Sequence, residues 1–239
     1  MKFVVQHLLA IFCLTLIALY CPAQDIAVTG KVDLVGTSQP KAKHGSDVVV
    51  WLASVSGELS PAKPPLPHPR LVQSDKQFEP RLLVVPVGTA VEFPNKDPFF
   101  HNVFSLFEGK RFDLGLYEAG TTRTVHFDKP GISYIFCNIH PQMSAVVIAL
   151  TTPYFAVSTA QGEITIPNVP PGRYMLNIWY EGTVPEELNR LRREIQISGL
   201  NHELGTIRLN AKDHLQISHK NKYGKDYDDP NPTTPGYTR

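Results

Sequence analysis

Residues 132–151 read Ile-Ser-Tyr-Ile-Phe-Cys-Asn-Ile-His-Pro-Gln-Met-Ser-Ala-Val-Val-Ile-Ala-Leu-Thr. An aromatic and β-branched run ends at Cys137, a short loop carries His140 and Met143, and a second apolar run begins at Ala145. One thiol, one imidazole and one thioether therefore sit on a single loop between two expected strands. Upstream, His101 opens another strand shortly after the turn-forming Asn95-Lys96-Asp97-Pro98.

Working outward, the chain reads as β nearly throughout. Short runs rich in Val, Ile, Tyr and Phe alternate with Gly, Pro and Asn turns, the spacing of sandwiches and barrels. Candidate strands are Ile26–Val32, Asp47–Ala53, Arg81–Pro86, Ala90–Phe93, His101–Ser105, Thr122–Phe127, Ile132–Cys137 and Ala145–Thr151. Tyr154–Ser158, Glu163–Ile166, Tyr174–Tyr180, Arg193–Ile197 and Thr206–Leu209 follow. Only Pro185–Leu191 reads as helix, with Pro at its start and Glu186 and Glu187 in the first turn. Residues 59–70 are Pro-rich and predict an extended linker. Residues 211–239 are polar, with almost no aliphatic side chains after Ile217, and predict a disordered tail.

The start of the chain has the layout of a secretory signal peptide over residues 1–23: a positive Lys2, an apolar core, and small residues at Cys21 and Ala23. Cleavage near Ala23 would leave 216 residues with 22 Lys+Arg against 22 Asp+Glu. A neutral chain gives no reason to expect a nucleic acid or an anionic membrane surface as partner. A periplasmic or secreted location is expected, with no membrane span after cleavage. Cys13 and Cys21 lie in or at the edge of the leader, so Cys137 stands alone in the mature chain. Exported proteins normally pair their cysteines. A lone one is a buried hydrophobe, a free thiol or a metal ligand.

The neighbours of Cys137 point to metal. Thiolate and thioether suit Cu(I), imidazole serves both copper oxidation states, and a His₂Cys plane with a weak axial Met tolerates both. A zinc site would need four closed ligands, commonly with paired cysteines. A dinuclear copper centre would need a second loop Cys, and a multicopper oxidase His-x-His clusters; neither occurs. Haem attachment would need Cys-x-x-Cys-His, which is absent, and no base for a cysteine nucleophile is named by the sequence. The bland alternative is a buried thiol with a surface His and a core Met. The remaining histidines read as ordinary: His126 in a strand, His44 and His68 in loops, His202, His214 and His219 near or in the tail.

The order His…Cys-x₂-His-x₂-Met resembles the short-loop cupredoxins, closest to amicyanin. Phe78-Glu79-Pro80, Val87-Gly88-Thr89, Val91-Glu92-Phe93 and Asn95 followed by His101-Asn102-Val103 are similar to the plastocyanin/amicyanin strand pattern across residues 71–151. "FPNKDPFFHNVFS", "FDKPG", "CNIHPQM" and "TPYFAV" resemble bacterial cupredoxin-like proteins grouped with methylamine-utilisation proteins. The resemblance implies an all-β fold with a Greek-key β-sandwich. It implies one mononuclear copper on His101, Cys137 and His140, with Met143 axial. Asn102 and Asn138 would support the ligands, Asn102 by a hydrogen bond toward the Cys loop that locks the two ligand segments together. Amicyanin-like loops usually carry Pro before the second His; Ile139 stands here, with Pro141 after it. Phe99, Phe100, Ile139 and Pro141 flank the ligands and form the expected docking patch.

Residues 154–180 resemble a transthyretin-like, carboxypeptidase regulatory-like β-sandwich that lacks its opening strands, and residues 29–53 look like those strands. The expected organisation is one such sandwich from 25–58 and 152–210 with the cupredoxin domain inserted. The implied function is one-electron transfer by a monomeric carrier, not an enzyme, between periplasmic redox partners such as a dehydrogenase and a c-type cytochrome. The alternatives are copper carriage or storage, and a structural or carbohydrate-contacting β-module with a stabilising metal.

Overall fold

Ser144–Leu150, the apolar run after the ligand loop, forms a strand buried on both faces from Ala145 onward. Ala145, Val147 and Ala149 enter one core, while Val146, Ile148 and Leu150 enter another. Period-two alternation thus divides one strand between two cores, which is why the run carries no polar residue after Ser144.

The structure, a computed structural model, describes residues 25–36, 47–57, 64–106, 108–210 and 220–227. The expected leader and residues 59–63 of the Pro-rich stretch lie outside these; residues 64–68 are exposed chain. In chain order the strands are β1 Ile26–Val35, β2 Val49–Ser54, β3 Val72–Ser74, β4 Gln77–Glu79, β5 Leu82–Pro86, β6 Thr89–Pro94, β7 His101–Ser105 and β8 Phe112–Tyr117. They continue as β9 Thr122–Phe127, β10 Gly131–Cys137, β11 Ser144–Leu150, β12 Phe155–Val157, β13 Glu163–Val169 and β14 Gly172–Trp179. Helix α1, Pro185–Leu191, precedes β15 Arg193–Ile197 and β16 Glu203–Asn210.

These elements stack in four layers. The outermost sheet runs β13-β1-β16 and faces a sheet of order β12-β2-β14-β15. Val28, Val32, Ile164, Ile166 and Ile207 interdigitate there with Val50, Leu52, Leu176 and Ile178. Segments from both ends of the chain build this pair of sheets: Val50 lies opposite Ile178 and Leu52 opposite Leu176. The other two layers are the sheet β5-β11-β10-β7-β8 and the ribbon β6-β9. Between them pack Val91, Phe93, Val125 and Phe127 against Val103, Ile135, Cys137 and Val147. The two sandwiches meet back to back, where Val49 and Trp179 pack with Val146, Ile148 and Leu150. Trp51, Phe155 and Leu188 close that middle layer against Leu82, Val84, Ile132 and Tyr134.

The all-β expectation holds, and α1 spans the seven residues expected of it. Strands β3, β4 and β8 were not anticipated. In β8, Gly115 at φ 67° interrupts the alternation, and Leu116 is 58% exposed at the edge of its sheet. An edge strand with a glycine and half-wet side chains gives little periodic signal.

Because Ile148 fills the layer shared by the two sandwiches, Ile148→Ala should leave a cavity. The expected cost is about 2–5 kcal/mol, read from urea unfolding of the whole chain. A loss below about 1 kcal/mol would show that the layer is not packed as described.

Candidate metal centre

Cys137 ends β10 with its side chain turned into the core, and no part of it is exposed. The chain then makes a tight loop. Met143 N–H donates to the His140 carbonyl at 3.0 Å, and Cys137 N–H donates to the Met143 carbonyl at 3.2 Å. This closure returns His140 to the mouth of the sheet above the sulfur. Met143 is 1% exposed and belongs to the same core cluster as Cys137. His101, fully buried, opens the adjacent β7.

The three donors converge. Cys137 Sγ lies 3.5 Å from His101 Nδ1 and 3.6 Å from His140 Nδ1, and the two Nδ1 atoms are 3.2 Å apart. A point equidistant from all three lies about 2.0 Å from each, the bond length of a first-row metal to imidazole. His101, Cys137 and His140 are the group among the described residues whose donor atoms all lie within 4.8 Å of one another. Two imidazole nitrogens at that separation cannot both carry protons, and a shared cation satisfies the lone pairs that face each other. The residues therefore fit a single ion held by one sulfur and two nitrogens.

The electrostatics favour the metal over a bare thiolate. Burial pushes the Cys137 thiol above its ordinary value, and the backbone N–H groups of Ile139, Asn102 and His140 oppose that only in part. Burial, then the neighbouring His101 and Lys76, holds His140 below the usual imidazole range. Both imidazole and thiol are thus pressed toward neutral forms when no cation is bound, and a cation reverses the preference at the sulfur.

One residue that sequence reasoning missed is Asp97. Its carboxylate Oδ2 lies 2.8 Å from His101 Nε2, and its side chain is 6% exposed. This bond directs the His101 proton to Nε2 and leaves Nδ1 free for the metal, a carboxylate–histidine–metal arrangement. The carboxylate is itself fixed by the N–H of Asp75 at 2.7 Å and of Lys76 at 3.0 Å. Those two residues sit at φ 54° and 56° in the two-residue turn between β3 and β4. Asp97 stabilises that turn and the ligand at once. Its own N–H donates to Asn95 Oδ1. Burial pushes the Asp97 carboxyl up, but the bonds from His101, Lys76 and Asp75 outweigh it and hold it below the ordinary value.

Asn102 bonds toward the loop through its main chain and toward β8 through its side chain. Its side chain donates to Asp113 Oδ1 at 2.7 Å. Its main-chain carbonyl accepts the Asn138 N–H at 2.9 Å and joins the two ligand segments. Asn138 Oδ1 accepts the N–H of Lys222 at 2.9 Å. Residues 220–227 are thus placed against the centre, whereas composition predicted no order for them. Their contacts are polar, so the scarcity of apolar side chains gave no warning. Residues 211–219 and 228–239 lie outside the described residues.

Phe99 packs on both imidazoles, its ring centroid 5.3 Å from that of His101 and 5.6 Å from that of His140. Phe100 is 51% exposed and Ile139 45%, and Pro141 is also exposed. His140 is half-buried. His126 is exposed on β9, His68 is exposed and His202 half-buried. His44, His214 and His219 lie outside the described residues.

No family model matches the sequence, and no curated protein does. Among solved structures the chain is similar to a purple cupredoxin from Nitrosopumilus maritimus, at 23% identity and TM-score 0.32, over 34% of this chain and 99% of that one. It is also similar to a reduced amicyanin variant, at 20% identity and TM-score 0.33, over 42% of this chain and 98% of that one. A copper-containing nitrite reductase from Thermus scotoductus SA-01 aligns at 26% identity and TM-score 0.34, over 38% of this chain; the match spans 25% of the enzyme.

Two outcomes are expected. Asp97→Ala should weaken metal affinity about 10–100-fold, measured by competition with a chelator, with the fold retained by circular dichroism. Unchanged affinity would remove Asp97 from the site. In the metal-free protein the folded thiol titrates above the unfolded one. Its contribution to stability is complete below the ordinary value of 9.0 and is lost as pH rises through the raised value. The unfolding free energy should therefore fall more steeply as pH rises above 9.0 in the wild type than in Cys137→Ala, and equal slopes would contradict the burial effect.

Proposed function

We propose that this protein is an exported cupredoxin-type carrier that holds one copper ion on His101, Cys137 and His140, with Met143 as the axial ligand, and passes single electrons between redox partners. The observation that carries the reading is the convergence of one buried sulfur and two imidazole nitrogens on a single point. One soft anionic donor with two borderline nitrogens suits copper in both oxidation states. When bound, copper supplies the reversible one-electron exchange.

The rest of the chemistry belongs to the chain. Asp97 orients His101, the Met143 carbonyl holds the Cys137 N–H, and the layered β-frame keeps the donors from relaxing. His101 and Cys137 are shut away from water, while the half-buried His140 offers an edge to a partner. Exposed Phe100, Ile139 and Pro141 beside that edge supply an apolar patch for docking. With equal formal charges in the mature chain, docking relies on this patch more than on long-range steering. The carrier reading excludes an enzyme role and fits a monomer in the periplasm or outside the cell, with a dehydrogenase and a c-type cytochrome as the partner classes. The second sandwich, read as transthyretin-like, serves as a mount.

The visible and EPR spectra of the copper-loaded protein test this. An intense thiolate-to-copper band is expected, and Cys137→Ala should abolish it. Met143→Leu should keep the copper and raise the reduction potential; loss of copper would contradict an axial role. Uptake of Cu(I) alone, with ready transfer to a chelator, would favour copper carriage over electron transfer.

A further inference from the structure

Residues 220–227 contain a turn held by its own hydrogen bonds. Asn221 Oδ1 accepts the N–H groups of Tyr223 and Lys225 at 3.0 and 3.1 Å. The Asn221 N–H donates to the Lys225 carbonyl at 2.8 Å, and Gly224, at φ 74°, donates back to the Asn221 carbonyl at 2.9 Å. An asparagine that accepts two backbone N–H groups of its own turn favours that turn, which lowers the entropy lost on docking.

The docked contacts fall on the start of the ligand loop and on Asp113 of the neighbouring β8. The Tyr227 hydroxyl donates to the Cys137 carbonyl at 2.9 Å, and the Lys222 N–H donates to Asn138 Oδ1 at 2.9 Å. The Lys222 ammonium donates to Asp113 Oδ2 at 2.8 Å. Asp113 in turn accepts Asn102 Nδ2, next to His101, and the Gly115 N–H. A closed circuit results: from Cys137 and Asn138 through the tail to Asp113, to Asn102, and back by the bond from Asn138 N–H to the Asn102 carbonyl. The loop's own closure consists of the Cys137–Met143 and Met143–His140 bonds, and Ile139 stands where a proline would stiffen it. The tail bonds fall on the two residues at the start of that loop.

We propose that residues 220–227 are a strap belonging to the metal centre: Tyr227 and Lys222 hold the Cys137–Asn138 segment in place and so slow the loss of the bound ion. This deepens the copper reading and rests on it for the identity of the ion. Lys222 and Tyr227 are positioning residues, since the bonds above reach the Cys137 carbonyl, the Asn138 side chain and Asp113 rather than the donor atoms.

Two readouts test the strap, each on the full-length protein, on the full-length double variant Lys222→Ala/Tyr227→Phe, and on a chain ending at Asn210. In the metal-free state, the Asn138 amide should exchange with solvent several-fold faster in both altered chains. In the copper-loaded state, transfer of Cu(I) to a chelator should be roughly tenfold faster, the effect of losing one or two net hydrogen bonds. An unchanged Asn138 exchange rate, or copper transfer within about twofold of the full-length protein, would overturn the proposal. If the full-length protein develops no thiolate-to-copper band, the copper reading fails, and Asn138 exchange alone still decides whether the strap holds the loop.

Discussion

Three lone pairs pointing at one another across 3.2 to 3.6 Å form the constraint around which this molecule is arranged. A sulfur and two imidazole nitrogens do not adopt that arrangement for their mutual benefit. Burial disfavours the thiolate, and the two facing nitrogens repel unless a proton or a cation lies between them. The arrangement persists because each donor is fixed from behind. Cys137 is the last residue of a strand with core on its inner face, His101 the first residue of the neighbouring strand, and His140 hangs on a loop closed by main-chain bonds. A site preset in this way would resist rearrangement on a change in charge of a bound ion, the property that the proposed one-electron carrier requires.

Rigidity at the site traces to the layers beneath it. β10 and β11 are covered on one side by the ribbon β6-β9 and on the other by the second sandwich. Tyr134 and Ile132 contribute to the middle layer while Ile135 and Cys137, on the other face, contribute to the core beneath the candidate metal centre. Displacing Cys137 would disturb both sides of a close-packed sheet. At the open end the apolar packing stops, and polar bonds take over. Asp97 secures His101, Asp113 secures Asn102, and the segment 220–227 secures Cys137 and Asn138.

The sequence disclosed the donors more readily than their supports. Cys137 and His140 could be read together because they share one loop, and His101 because a turn and an apolar strand frame it. The long strands were legible from alternation, and β11 from its uninterrupted apolar run. Asp97 was not, since a carboxylate in an Asn-Lys-Asp-Pro turn has an ordinary local role, and its bond to His101 depends on how the turn folds back. β8 was hidden by Gly115 and by its place at a sheet edge. The docking of Lys222 and Tyr227 was hidden because it relies on individual hydrogen bonds from a polar segment far along the chain, which composition cannot register.

The central claim is that the sulfur and both imidazoles bind the same ion, and X-ray absorption at the copper edge of the loaded protein addresses it most directly. The account predicts one sulfur and two nitrogen neighbours within roughly 2.0–2.3 Å of the metal. A coordination shell made only of oxygen and nitrogen, with no sulfur at bonding distance, would contradict it.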